Sequence, residues 1–390
     1  MPQGMAFVTV GTVGSSQLFH PCIHSTMERS RHFFALMILL ATFGACGKEG
    51  LDDGVAGDDA TGTKVNFDLD EVPYNTLSEY GFFEGKLGTM RPVADLLPFE
   101  PITPLFTDEA HKTRFVWMPP GRKARFNGAH NVLDFPDGAV LLKSFHYNNA
   151  QAGGGRRIIE TRMLFKRAGQ WEIANYVWNS AQTEAYLDLG GSTIPVNWTD
   201  EDGDARSIQY RIPSLVECQS CHRKYGANTP IGPEPQNLNG PLWYNTGMNN
   251  QLAQWAAHGI LQPGYPKDFL TLVRWDDTSE SLEQRVRSYL DINCAHCHDE
   301  GRSCSYRAIR LAYERTEDPV NLGVCVVPEE PIEPFSHLVA RGNLARSALY
   351  HRLTTNEEAV RMPLIGRSIV DEEGAALLAE WIQSLGPPCQ

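Results

Sequence analysis

The sequence predicts an α+β fold in which an antiparallel, β-sandwich-like N-terminal domain is followed by two mostly α-helical modules. Three features of the 390-residue chain indicate this arrangement. Short runs of β-branched and aromatic residues, separated by Gly and Pro, fill residues 71–212. No helical pattern of comparable strength occurs in that stretch. From about residue 213 onward, apolar residues recur at helical spacing instead.

Four strands are predicted in the β-rich part from apolar, β-branched and aromatic runs. They cover residues 115–118, 139–145, 158–166 and 171–178. Turn residues bound the runs, as in Pro136-Asp137-Gly138 before the second strand. Strands this short and this close along the chain favour antiparallel pairing.

Three helices are predicted in the second half of the chain. The first follows Asn250 and stops at Gly259, because glycine commonly ends a helix. The second starts at Ser281, a good N-terminal cap, and runs directly into a cysteine motif. The third starts near Asp371 and carries an apolar face up to Gly386.

Residues 1–46 have the pattern of an export segment. From Met27, charged residues precede an apolar run that is too short to span a bilayer, and small residues then lead to Cys46. This resembles a bacterial lipoprotein signal, in which Cys46 is lipidated; plain secretory cleavage is the alternative, because Phe43 stands where Leu is commoner. Met27 is the expected true start. We therefore expect an exported, periplasmic or outer-membrane-associated lipoprotein of a bacterium.

The remaining chain divides by composition into four parts. Residues 47–70 form a Gly- and Asp-rich tether, and residues 71–212 form the β-rich domain. Residues 213–277 and 278–390 form the two helical modules, each of which contains one cysteine motif. The net charge of −13 and the lack of a basic run exclude nucleic acid as a partner. Membrane contact is expected only through the lipid anchor.

Four of the nine cysteines fall in two Cys-x-x-Cys-His motifs. Two thiols at this spacing can add to the two vinyl groups of one porphyrin, and the following His then binds the iron. We therefore expect two covalently attached haems c. The attachment cysteines and proximal iron ligands are Cys218, Cys221 and His222 at the first site, and Cys294, Cys297 and His298 at the second.

Two other kinds of site also use Cys-x-x-Cys pairs. A zinc ribbon binds metal through the thiolates, and a thioredoxin-like site uses them as a redox dithiol. Neither needs His directly after both pairs. Export to a compartment where free thiols oxidise also favours haem.

Met362 is the expected distal ligand of the second iron. It lies 64 residues after His298 and just before the terminal helix, an order that resembles class I cytochromes c. Methionine ligation favours electron transfer at raised potential. Alternatively Met362 only fills the core, and His337 or His351 takes its place.

The distal side of the first iron has three open alternatives. Met248 and His258 follow His222 by 26 and 36 residues, and either could reach the iron. The third alternative is an open or water-bound iron, which would be able to react with peroxide.

Cys304 and Cys325 are expected to form a disulfide in an oxidising compartment. The bond would close a loop of 20 intervening residues and stabilise the fold by roughly 3 kcal/mol. Cys389 would then be unpaired, or would compete for one of them. No nucleophile–base set, phosphate loop or carboxylate metal cluster stands out, so no catalytic residues are assigned.

The chain resembles a bacterial family of exported di-haem c-type cytochromes, conserved hypothetical proteins with a β-rich N-terminal region. The resemblance covers about residues 74–385 and implies a β-rich region, two cytochrome c modules and no particular substrate. The segment between Cys304 and Cys325 departs from the family's simpler second module. Besides both cysteine motifs, the marks of the family are Leu77 to Gly81, Pro104 to Phe106, Phe135 to Val140, Glu160 to Arg162, Tyr176 to Asn179, Asn237 to Asn239, Asn250 to Leu252, Met362-Pro363 and Trp381-Ile382.

These features predict a di-haem electron carrier of the cell envelope that exchanges electrons with redox partner proteins. A di-haem peroxidase or oxidase with an open first haem is the main alternative. A third interpretation makes the β domain a binding scaffold and the haems a sensor or relay.

Overall fold

A six-stranded antiparallel sheet lies at the centre of the structure, a computed structural model that describes residues 65–150, 154–330 and 332–390. The export segment, Met27, Cys46 and the tether up to residue 64 lie outside the described residues. The strands follow one another in chain order across the sheet, so every connection joins neighbours. They are β3 (Leu97–Pro98), β4 (His111–Trp117), β5 (Val140–Tyr147), β6 (Arg157–Arg167), β7 (Gln170–Trp178) and β8 (Ala185–Leu187). The four predicted strands are confirmed as β4 to β7.

Apolar side chains lie on both faces of this sheet. Successive residues of a strand point to opposite faces, and residues of both sets are buried. One face carries Val140, Leu142 and Phe165 and is covered by residues 65–96, which include the short hairpin β1 (Phe83–Glu84) and β2 (Arg91–Pro92). Phe67, which the sequence assigned to the tether, packs against Trp117 with ring centroids 5.5 Å apart.

The opposite face is covered by the chain that contains the first cysteine motif. Leu141, Leu164 and Ile173 of the sheet share one buried cluster with residues between Cys218 and Tyr265. The covering elements are α1 (Leu215–Cys221), the hairpin β11 (Arg223–Lys224) and β12 (Ala227–Asn228), α2 (Pro235–Leu238), the hairpin β13 (Pro241–Tyr244) and β14 (Gly247–Asn250), and α3 (Gln251–Ala257).

A separate hairpin, β9 (Ser192–Thr199) and β10 (Ala205–Ile212), leads into the first motif. Its buried residues Trp198 and Tyr210 pack with Tyr147 of β5 in a further cluster. The hairpin is thereby fixed to the sheet, and α1 starts at a defined position.

The second cysteine motif lies in a region with its own buried cluster. Its helices are α4 (Leu282–Leu290), α5 (Ala348–Thr354) and α6 (Glu372–Ser384). Ser281 and Asp371 cap α4 and α6 through their side-chain oxygens, and all three predicted helices, α3 included, are confirmed. A one-turn π-helix, Asp291–Ala295, continues α4 into the motif. No helix among the described residues has the length and apolarity to cross a bilayer.

The predicted fold class is wrong. The described residues contain mostly strands and small sheets with six short helices, so neither cysteine region is a mostly α-helical cytochrome c module. The β-rich part is not a sandwich either, because a cysteine-motif segment covers the second face of the sheet. Local sequence explains the shortage of helix. Gly226 and Gly247 adopt positive φ at hairpin turns, and four prolines stand between residues 319 and 334.

Trp255 tests whether the first motif region and the sheet share one core. It is fully buried and meets Phe99 edge-on at 5.6 Å. We expect Trp255→Ala to lower the free energy of unfolding by about 3–5 kcal/mol in a urea titration. Trp243→Ala is the matched control, since Trp243 is 70% exposed and should change stability by less than about 0.5 kcal/mol. Equal effects from both variants would contradict the shared core.

Candidate functional site

The first Cys-x-x-Cys-His motif lies in α1 and at its C-terminal end. A capping box fixes the start of the helix, because the N–H of Ser214 donates to the Glu217 carboxylate at 2.7 Å while the Ser214 hydroxyl accepts the N–H of Glu217. Arg211 of β10 forms an ion pair with Glu217 at 2.8 Å. Cys218 is buried against the sheet. The motif is therefore held between the hairpin and the sheet.

His222 is oriented by one hydrogen bond. Its ring Nδ1 lies 2.9 Å from the carbonyl oxygen of Thr229, just after the β11/β12 hairpin. A carbonyl can only accept, so Nδ1 carries the proton and the Nε2 lone pair is free. Burial lowers the pKa of His222 to about 3, which keeps the ring neutral. A neutral, oriented imidazole is the form that binds iron.

A cavity of about 110 Å³ opens between α1 and the sheet. Cys218, Cys221 and His222 line one side of it, and Leu141 and Leu164 line the sheet side. Phe99, Leu105, Phe106, Pro230, Ile231, Pro363 and Ile365 complete much of its apolar wall.

Charged side chains also lie on the sheet side of this cavity. Arg114, Lys143 and Arg162 occupy facing positions on β4, β5 and β6, and all three line the cavity. Arg114 pairs with Glu100 and Arg162 with the fully buried Glu160, each at 2.5 Å. Lys143 has no ion pair or hydrogen bond among the described residues. Burial, followed by the charge of Arg114, lowers the pKa of Lys143 well below its usual range.

The second motif lines a larger cavity of about 320 Å³, within the usual size of a ligand pocket. Cys294, His298 and Met362 all line this cavity. This proximity is what a role of Met362 as a ligand beside His298 would need. Burial lowers the pKa of His298 to about 4. Its Nδ1 is buried without a hydrogen-bond partner among the described residues, which differs from the arrangement at His222.

The loop that carries Met362 is fixed by Arg367. This buried guanidinium donates to the carbonyl oxygens of Met362 at 2.9 Å, of Arg352 at 2.9 Å and of Thr355 at 2.8 Å. The N–H of Met362 donates in turn to Arg352 at 2.8 Å. The position of Met362 is therefore set by main-chain contacts close to it.

A segment before β4 holds the same loop from the sheet side. The buried carboxylate of Asp108 accepts the N–H groups of Ser368 at 2.5 Å and Ile369 at 3.1 Å. Two residues earlier, the N–H of Phe106 donates to the side-chain oxygen of Asn293 at 2.8 Å, beside the second motif. Residues 106–108 thus connect the sheet with both parts of the second cavity.

The two motifs meet in space, although they are far apart along the chain. The ligand atoms of Cys221, His296 and Cys297 lie within 4.8 Å of one another. Phe106 and Pro363 line both cavities, so the cavities share a wall.

These three side chains form the one cluster of at least three potential metal ligands found among the described residues. A structural zinc site needs four, with the thiols ionised. The hydrogen bond between the two thiols lowers the pKa of Cys221 and, together with burial, raises that of Cys297 to about 12. The arrangement therefore gives little support to the zinc alternative.

The two residues predicted as distal ligands of the first iron lie elsewhere. Met248 is 50% exposed on β14, where the hairpin register pairs it with the exposed Trp243. His258 caps the end of α3, and its ring contacts the carbonyl of Gln254 at 3.0 Å. Neither lines the cavity of His222, so their placement does not support either of them as a ligand there.

The reserve ligands of the second iron are also misplaced. His337 contacts the Ser336 hydroxyl at 2.9 Å, and His351 stacks on Phe335 with ring centroids 4.6 Å apart. Neither lines the second cavity, which leaves Met362 as the candidate there.

The predicted Cys304–Cys325 disulfide is wrong. Cys325 is bonded to Cys389, with Cα atoms 5.4 Å apart, and Cys304 is a free thiol on the wall of the second cavity. The reason is tertiary, because the chain after α6 returns beside residues 339–341, where the N–H of Arg341 donates to the sulfur of Cys389.

Sequence reasoning missed Lys143, His296, Phe106, Asp108 and Arg367. His296 was visible inside the second motif, but nothing local marks it as a neighbour of Cys221. Lys143 depends on strand register, and Phe106 and Asp108 depend on contacts across more than a hundred residues, which one sequence does not display. Arg367 acts within 15 residues, on main-chain carbonyls that no residue pattern marks.

Comparisons with protein-family models, curated proteins and solved structures find no match to this chain.

The disulfide makes a direct prediction. Cys325→Ser and Cys389→Ser should each lower the free energy of unfolding by about 2–4 kcal/mol, because the bond closes a 64-residue separation. Cys304→Ser is the matched control and should have a small effect. Intact mass after alkylation without reductant should show Cys304 modified and the other two protected. Alkylation of Cys325 or Cys389 would refute the pairing.

Proposed function

We propose that this chain is an exported di-haem c-type cytochrome that carries electrons in the bacterial cell envelope. One observation supports it above the others: Cys294, His298 and Met362 line a single cavity of about 320 Å³. A low-spin haem c uses an imidazole and a thioether as iron ligands beside cysteines that bond to the porphyrin. The envelope location rests on the sequence between Met27 and Cys46.

The residues of both sites fit a covalently attached haem. Cys218 and Cys221 would hold the first and Cys294 and Cys297 the second, with His222 and His298 as proximal ligands and Met362 as the distal ligand of the second. Cys297 lies beside Cys221 and does not line the second cavity. The free Nε2 of His222 supports its role, whereas the Nδ1 of His298 has no hydrogen bond among the described residues that would orient its ring in the same way. When bound, the iron supplies one-electron chemistry between two oxidation states.

The rest of each site excludes water and supplies positive charge. The apolar walls keep solvent from the metal, which helps to set its potential. Arg352 on the second cavity has no carboxylate partner among the described residues and can compensate a haem carboxylate, whereas Arg114, Arg162 and Arg211 on the first are already paired with glutamates.

The contact between the two motifs supports electron exchange within one molecule. Cys221 and Cys297 are neighbours, and Phe106 and Pro363 separate the cavities. Redox groups attached here would share a thin protein boundary. Redox partner proteins would then supply and remove electrons, while a lipid on Cys46 would keep the chain at the membrane.

A di-haem peroxidase or oxidase is the second candidate. It is favoured by the finding that neither Met248 nor His258 lines the first cavity. An iron without a distal ligand would be high-spin and able to bind peroxide.

The deciding experiment uses full-length protein matured in a periplasm. A pyridine haemochrome assay should show two haems c, and low-temperature spin resonance should show two low-spin signals that peroxide does not change. A high-spin signal that peroxide consumes would support the peroxidase, and the absence of covalent haem would end both proposals.

Met362 provides a site-specific prediction. Met362→Ala should convert only the second haem to high spin and lower its potential by on the order of 0.1 V, since methionine ligation raises haem potentials. Spin resonance and a redox titration would measure both changes. Met248→Ala is the control and should leave both haems unchanged. Loss of the low-spin signal from the first haem alone would contradict the assignment.

A further inference from the structure

Lys143 projects from the middle of the central sheet toward the first motif. It lies on β5 with Arg114 and Arg162 on either side, and it lines the cavity together with Cys218, Cys221 and His222. It belongs to the sheet, whereas the proximal histidine belongs to α1 and its following turn. The lysine and the histidine therefore come from the two elements between which the cavity opens.

The amine of Lys143 has no partner in the protein. Its neighbours in the row each have a carboxylate, Glu100 for Arg114 and Glu160 for Arg162, while the Nζ of Lys143 lies only above the Phe145 ring, 5.0 Å from its centroid. Lys143 is partly buried, and an ammonium in such a position without a counter-ion is unfavourable. The position therefore favours a neutral amine, or an amine bound to something that the cavity holds.

Few other side chains on this cavity wall can bind iron. Besides His222 and the attachment cysteines, only Glu217, His296 and Lys143 carry a suitable donor, and the Glu217 carboxylate is already held by the N–H of Ser214 and by Arg211. His296 lies beside the sulfur atoms of Cys221 and Cys297, within 4.8 Å. Those sulfurs bond to the edge of a porphyrin, so a side chain beside them is placed at the edge and not over the metal.

We propose that the side-chain amine of Lys143 is the sixth ligand of the first haem iron. The inference rests on the proposed function, since it requires haem at this motif. The neutral amine would offer its nitrogen lone pair to the iron, and any proton that it carried would be released to solvent. No electron is transferred in this step.

This ligand would give the two haems different tasks. A thioether at the second iron favours the reduced state, whereas an amine nitrogen at the first favours the oxidised state. Electrons would therefore pass from the first site, against the sheet, to the second. A lysine-bound first iron would also be closed to peroxide, which separates this proposal from the peroxidase.

The test compares wild type with Lys143→Ala in full-length, haem-loaded protein, using spin resonance and carbon monoxide binding to the reduced state. Wild type should show two low-spin haems and bind little carbon monoxide. Lys143→Ala should show one high-spin haem and bind about one carbon monoxide per protein. Added methylamine should restore the low-spin signal, which a merely structural lysine would not allow.

Two further variants serve as controls for a loss of signal that is caused by misfolding. Lys112→Ala removes a neighbouring lysine that does not line the cavity, and it should leave both spectra unchanged. Lys143→Met keeps bulk and offers another donor, so it should remain low-spin with a methionine-type spectrum and a raised potential at the first haem.

Different results overturn different claims. Two haems that stay low-spin in Lys143→Ala, with only a shifted potential, would make Lys143 a partner of a haem carboxylate and overturn the inference alone. A high-spin first haem in wild type would do the same and favour the peroxidase. A wild-type protein without covalent haem would overturn the proposed function together with the inference.

Discussion

The structure depends on one constraint, which is that both faces of the six-stranded sheet are apolar and must be kept from water. The N-terminal segment covers one face, and the chain around the first cysteine motif covers the other. Burial of Cys218, Leu238 and Trp255 against the sheet supplies that cover. The first motif is therefore part of the sheet's core, and its cavity has a sheet for a wall.

The second motif has its own core but is tied to the first by a few polar contacts. Phe106 binds Asn293 through its backbone, Asp108 holds Ser368 and Ile369, and Cys221 lies beside Cys297. Hydrogen bonds of this kind are partly shielded from water and are costly to break, because the separated groups would be left without partners. They fix the Met362 loop relative to the sheet, so both cavities are shaped by the same short segment.

Three basic side chains of the sheet, Arg114, Lys143 and Arg162, line the first cavity. Arginine and glutamate pairs on the sheet neutralise each other, which is the usual condition for burying ions. Lys143 stands outside this pattern, because the arginines on either side of it in the sheet are paired with glutamates and it is not. The arginine and glutamate pairs thus stabilise the fold, whereas the amine of Lys143 remains available to a ligand in the first cavity.

The sequence alone determined the local features: strands β4 to β7, the capped starts of α4 and α6, the two Cys-x-x-Cys-His motifs and the distance of Met362 from the second. These follow from residue type and near-neighbour spacing. The fold class, the Cys325–Cys389 bond, the removal of Met248 and His258 from the first site, and the meeting of Cys221 with Cys297 were decided only by the tertiary structure. Strand register and the packing of remote segments fix them, and both arise from burying apolar surface over the whole chain, which no local pattern records.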